Sequence, residues 1–149
     1  MAKIESLTGL DRTKYWFWIG IDTGVKTGYA VYQVPGKRLL SVRTLLIHEA
    51  MQRVADWAMS PRILVRVEDA RQAKFRRQKD AYKAQGAGSV KRDAKVWEDF
   101  LLGLGIDFQM VRPVKSITKL KVNAFERLTG WSAPVTSHSM DAAMLVYGY

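Results

Sequence analysis

Cysteine is missing from all 149 residues, which excludes disulfide bridges and thiolate metal sites alike. No apolar run approaches the roughly 20 residues needed to span a bilayer. The opening stretch MAKIESLTGLDRTK has no apolar h-region, so no secretory signal is read and a cytoplasmic protein is expected. Internal repeats, low-complexity tracts and linkers are absent too. One domain over residues 1–149 is expected, with residues 1–14 as a polar lead-in. Acidic residues are scarce: 14 Asp and Glu stand against 24 Lys and Arg, a formal charge of +10 and a pI near 10.0. Such an excess suits a polyanionic partner, because phosphate neutralisation supplies most non-specific nucleic-acid affinity. A membrane surface is not expected, since no basic helix carries a strong apolar face. What remains is a folded composition, 48% hydrophobic and 26% charged.

Tyr15 to Asp22 (YWFWIGID) is aromatic and β-branched, a buried strand ending on a carboxylate. Thr23 to Lys26 makes a turn, and Thr27 to Val34 returns as the second arm of a hairpin. After Pro35-Gly36, Leu39 to Ile47 is a third strand. Helical spacing then sets in from His48 to Met59, Pro61 stops it, and Arg62 to Glu68 (RILVRVE) is a strand that again ends on a carboxylate. Residues 71–92 read as a basic connection. Asp93 to Leu104 is a helix with Val96, Trp97, Phe100, Leu101 and Leu104 on one face, closed by Gly105. Ile106 to Val111 is a fifth strand, Ser116 to Leu128 a helix opened by Ser116, and Ser137 to Tyr147 a short last helix. The order β-β-β-α-β-α-β-α-α predicts a mixed α/β sheet with helices on its faces.

Asp22 shares a strand face with Trp16, Trp18 and Gly20, and Glu68 shares one with Leu64 and Arg66. If the two strands are adjacent and parallel, both carboxylates stand side by side at the carboxyl edge, where open α/β sheets place their ligands. Each alone would serve as an ordinary turn cap. Packed together they repel and call for a cation between them, and an all-oxygen set suits Mg²⁺ or Mn²⁺. His138 and Asp141, three apart, share a face of the last helix, and Ala142 and Ala143 beside them allow close approach to a sheet. Ser137 or Ser139 is placed to cap that helix. Asp69 points away from Glu68 and reads as a turn or salt-bridge residue. His48, at a helix start, reads as structural or exposed. Trp97 and Phe100 read as core or interface residues. The stretch GIDTGVKT is not a phosphate-binding P-loop, which needs four residues between its glycines and Lys directly after the second.

Gly20-Ile21-Asp22-Thr23-Gly24 followed by Thr27-Gly28-Tyr29-Ala30-Val31 resembles the first hairpin of the RuvC-type Holliday junction resolvases. The strand ending at Glu68 and the His138-x-x-Asp141-Ala-Ala segment resemble that family's later motifs, in the same order, from about Trp16 onward. The resemblance implies an RNase H-like fold: a five-stranded mixed sheet, built of a three-strand antiparallel meander plus two parallel strands and flanked by helices. It also implies a homodimer that resolves four-way DNA junctions in recombination and repair, with two Mg²⁺ or Mn²⁺ ions per active site. Asp22, Glu68 and Asp141 would be the metal ligands. His138 would stand where family members carry an acid or a histidine. Lys115 and Lys119 match the family's phosphate-side lysines, with Lys121 an equal candidate for the second role.

Directly after the strand of Glu68 come Arg71, Lys74, Arg76, Arg77, Lys79, Lys83, Lys91 and Arg92, interleaved with Phe75 and Tyr82. A solvated helix face would also look like this. Its place beside the acidic strand favours a DNA-gripping element, with Phe75 either stacking on unpaired bases or packing beneath the connection. Three other functions stay open. They are an RNase H-like nuclease for branched phage DNA, RNA or RNA–DNA hybrids, a non-catalytic nucleic-acid-binding module of the same fold, and an actin-like ATPase. The chain is too short for the two lobes of the last.

Overall fold

The computed structural model describes residues 3–60, 62–73, 87–113 and 120–149. Five strands form one sheet: β1 (Phe17–Asp22), β2 (Lys26–Gln33), β3 (Arg38–Leu46), β4 (Ile63–Glu68) and β5 (Asp107–Val111), in the order β3-β2-β1-β4-β5. β1–β2 and β2–β3 pair antiparallel, while β1–β4 and β4–β5 are parallel. The expected mixed sheet, three antiparallel strands plus two parallel ones, is therefore present. Sequence texture follows position. The central strands β1 and β4 are apolar on both faces and buried nearly throughout, whereas the edge strand β3 alternates. Pairing slips between Val31 and Tyr32, which leaves Leu40 of β3 as an extra residue that bends the edge.

Four helices accompany the sheet: α1 (Ile47–Trp57), α2 (Ala87–Leu104), α3 (Val122–Thr129) and α4 (Ser137–Met144). One face of the sheet (Ile19, Ile21, Tyr29, Val31, Val65, Val67 and Phe108) packs on Ala50 and Val54 of α1 and on Ala94, Trp97 and Leu101 of α2. The other face (Trp18, Ala30, Tyr32 and Leu64) packs on Phe125 of α3 and on Met140, Ala142 and Ala143 of α4. Each large apolar side chain fully buried in these layers contributes about 1.5–3 kcal/mol.

The first strand begins at Phe17, with Trp16 outside it and 49% exposed, the first helix ends at Trp57 and the last at Met144, short of the expected Tyr15, Met59 and Tyr147. Two helices and the lead-in depart further. Helix α2 begins at Ala87, six residues before the expected Asp93, so Lys91 and Arg92 belong to a helix and not to a connection. The glycines of the QGAGS stretch suggested a break. An exposed helical Gly88 costs only about 1 kcal/mol against alanine, which the buried Ala94–Trp97–Leu101 stripe outweighs. The helix expected from Ser116 runs over Val122–Thr129, with Lys121 at its N-cap, and Ser116 lies outside the described residues. The polar lead-in is docked: Lys3 bridges Phe108 beside β5, Ile4 N donates to the Phe108 carbonyl at 2.7 Å, and Ile4, Leu7 and Leu10 pack on the α4-side core. Three apolar residues spaced by three were hidden among polar ones. Among the described residues, no helix is long and apolar enough to cross a membrane.

Candidate functional site

Strands β1 and β4 pair in parallel through Ile21 and Val67, so their last residues, Asp22 and Glu68, follow at one sheet edge. The Thr23 hydroxyl spans the two ends by donating to the Glu68 carbonyl at 3.5 Å. Thr27, wholly buried, holds the β1–β2 turn by donating to the Gly24 carbonyl at 2.8 Å. By the period of two, Asp22 lies on the face of Trp18 and Gly20, and Glu68 on the face of Leu64 and Arg66. That is the face α4 covers.

Helix α4 lies directly on the sheet backbone because two residues beneath it are glycine. A Cβ at Gly20 would overlap the Ala142 carbonyl, and one at Gly28 would overlap the His138 carbonyl. The facing residues Ala142 and Ala143 are fully buried, as their size allows. The helix start is fixed by a reciprocal cap. The Thr136 hydroxyl accepts from Ser139 N at 3.2 Å, and Ser139 Oγ accepts from Thr136 N at 2.9 Å. Thr136, not Ser137, is thus the N-cap, with Ser139 as its counterpart; the Thr44 hydroxyl of β3 bonds the Thr136 hydroxyl in turn.

This seating delivers His138 to Asp22: Nδ1 and Oδ2 are 3.0 Å apart, with the Asp22 side chain 12% and the His138 side chain 49% exposed. An ionised Asp22 can only accept, so Nδ1 is the donor in this pair and Nε2 faces away from it. Asp141 follows three residues later on the same helix, half-buried. Asp22 and His138 are in direct contact, and Glu68 is their neighbour by strand register. Among the described residues, no three His, Asp or Glu side chains stand close enough to hold one ion together. The donor set is of the hard, oxygen-rich kind that suits Mg²⁺ or Mn²⁺.

Beside Glu68 the chain turns through a charged cluster whose members are far apart in sequence. Asp69, buried, caps the 3-10 turn Ala70–Gln72 and is gripped by Arg71, with Nε to Oδ1 at 2.8 Å and a second guanidinium nitrogen to Oδ2 at 2.9 Å. Arg71 also reaches Glu98 of α2 at 3.2 Å, and Lys3 reaches the other Glu98 oxygen at 2.9 Å. Burial would raise the Asp69 carboxyl, but hydrogen bonds from Arg71 and Gln72 hold it below its ordinary value. The Lys3 hydrogen bond, against burial and with help from Arg71, does the same for Glu98. The expected salt-bridge role of Asp69 is therefore seen, and Arg71 is committed to two carboxylates within the protein. Lys91 and Arg92 lie on α2, half-buried and exposed respectively, and Lys121 is exposed. Lys74, Phe75, Arg76, Arg77, Lys79, Lys83, Lys115 and Lys119 lie outside the described residues. His48 is exposed on α1, Trp97 is core, and Phe100 packs edge-on against it at 5.8 Å.

No protein-family model matches the chain, and no curated protein matches it.

Proposed function

We propose that the chain is a divalent-metal-dependent nuclease of the RNase H-like superfamily that cuts four-way DNA junctions as a homodimer. One observation carries the reading. Two strand-end carboxylates, Asp22 and Glu68, share an edge and a face, and α4 is seated on glycines there, bringing His138 to 3.0 Å from Asp22 and Asp141 one turn beyond. A five-stranded sheet of three antiparallel and two parallel strands fits that superfamily, and a charge of +10 fits a phosphate-rich substrate.

Asp22, Glu68 and Asp141 would hold the cations. When bound, such ions activate water and stabilise the departing 3′-oxygen of a phosphodiester. The protein's own part is positional. Asp22 fixes the His138 ring through Nδ1, which leaves Nε2 at the half-exposed edge to take a proton or to join the ligand set. Lys91, Arg92 and Lys121, with the basic residues that follow Arg71 in sequence, would neutralise the DNA backbone. Two symmetric cuts across a junction need two copies of the site, hence the dimer.

The test is cleavage of labelled four-way junction, flap, duplex and RNA–DNA hybrid, side by side, with and without Mg²⁺ or Mn²⁺. Nicking confined to the junction, dependent on the ion and abolished by Asp22→Asn with binding retained, is expected. Equal cleavage of duplex or hybrid refutes junction specificity, and no ion-dependent cleavage of any substrate refutes the nuclease.

A further inference from the structure

Arg66 stands inside β4 on the face that α4 covers, only 5% exposed. Its Nε donates to Gln109 Oε1 of β5 at 3.0 Å, another guanidinium nitrogen donates to the Leu145 carbonyl, and its carbon lies 4.2 Å from the centre of the Tyr149 ring. Among the described residues no Asp or Glu forms an ion pair with it. Burial works against the charge and outweighs the support it receives from Tyr149, so an apolar side chain of the same volume would pack there at lower cost. What an arginine adds is direction, since its planar fork holds several donors in fixed geometry.

One of its three contacts reaches the helix of the candidate site. Leu145 is the C-cap of α4, whose last carbonyls have no partner within the helix and carry its negative end. The same helix carries His138 and Asp141. Glu68 is two residues further along β4 on the same face, about 7 Å at ~3.3 Å per residue. Opposite Arg66 in β1 is Gly20, on which the Ala142 carbonyl rests. The glycines thus set how close α4 comes to the sheet, while Arg66 holds its far end against sliding or turning.

We propose that Arg66 is a positioning residue that fixes α4, and with it His138 and Asp141, over Asp22 and Glu68. The proposal rests on reading those four residues as the site. Its primary test does not depend on activity. The chain has two histidines, so the ring signals of His138 are separated from those of exposed His48 by NMR of metal-free protein in EDTA. In Arg66→Met the His138 signals should move toward those of Asp22→Asn while the His48 signals stay. Val65→Ala, on the same strand but the opposite face, should lower the melting temperature without moving them. Arg66→Lys keeps the charge, yet one ammonium cannot serve Gln109 and Leu145 together, so it should shift His138 in the same direction by less. It decides the matter if Arg66→Met does not fold. His138 signals equal to wild type in the folded variant overturn the proposal. In the nicking assay kcat should fall about 100-fold with KM little changed, the expected cost of a displacement near 1 Å. Wild-type protein that cuts nothing refutes the nuclease reading alone, and the His138 signals still decide Arg66.

Discussion

Replacing Gly28 by alanine adds one methyl group where the sheet and α4 are in closest contact. The new Cβ would overlap the His138 carbonyl oxygen, lie 2.6 Å from its carbonyl carbon and 3.0 Å from Asp22 Cβ. Two of these atoms belong to helix backbone, which cannot turn aside as a flexible side chain does. The helix must therefore lift by about 1 Å to restore ordinary contact. Overpacking of this kind costs about 1–3 kcal/mol, and the upper end applies because the obstacle is backbone. At about 2–4 °C per kcal/mol for a chain of this size, the melting temperature should fall by roughly 6–12 °C. The same lift stretches the 3.0 Å His138–Asp22 contact to about 4 Å, beyond hydrogen-bonding range, so junction nicking should drop about 100-fold. Calorimetry and the gel assay read both effects. Gly103→Ala is the control, in α2 with nothing within 4 Å of the added carbon, and should raise stability by up to about 1 kcal/mol. A Gly28→Ala protein that melts with wild type and keeps its His138 ring signals would refute the seating of α4 on the glycines.

Removing Arg71 as Arg71→Met leaves buried Asp69 without its cation, while Glu98 keeps Lys3, and should cost about 3 kcal/mol at pH 7. Both carboxyls titrate below their ordinary values in the folded protein, so their stabilisation is full above the unfolded value near pH 4 and is lost as pH falls through the lowered folded values. In urea melts from pH 7 to pH 2.5 the wild-type and Arg71→Met curves should therefore converge at the acid end; parallel curves would contradict the pairing. Alanine at Lys91, Arg92 or Lys121 should lower the salt dependence of DNA binding by about 0.9 for each phosphate no longer neutralised, weakening all sequences alike. An unchanged slope would remove that residue from the DNA path. Mn²⁺ should raise the melting temperature of wild type, and Asp22→Asn should abolish the rise, because ligand binding to the native state alone stabilises it. An equal rise in both would place the ion elsewhere.

The strand-end pair was legible because β1 and β4 announce themselves as buried apolar runs closing on Asp22 and Glu68, and their parallel pairing does the rest. The His138–Asp141 spacing on a helix flanked by alanines was equally plain, since helical period and small residues are local signals. What escaped notice depends on partners distant in sequence. Arg66 reads locally as one charge in a strand, and its role appears only when Gln109 and Leu145, 43 and 79 residues away, close around it. The Arg71 guanidinium looked like part of a basic run because nothing near it in sequence reveals Glu98 on α2. Gly20 and Gly28 belong to a recognisable hairpin motif, but that they serve as the seat of a helix far along the chain is a fact of topology. The true start of α2 is hidden in the sequence because local glycine punctuation masks a buried stripe whose burial only the sheet determines.

The most direct test is a crystal of the protein grown with Mn²⁺ and examined for anomalous scattering at the β1–β4 edge. The account predicts manganese bound to carboxylate oxygens of Asp22, Glu68 and Asp141, with α4 still seated on Gly20 and Gly28. Manganese absent from that edge, or held there without Asp22, would contradict it.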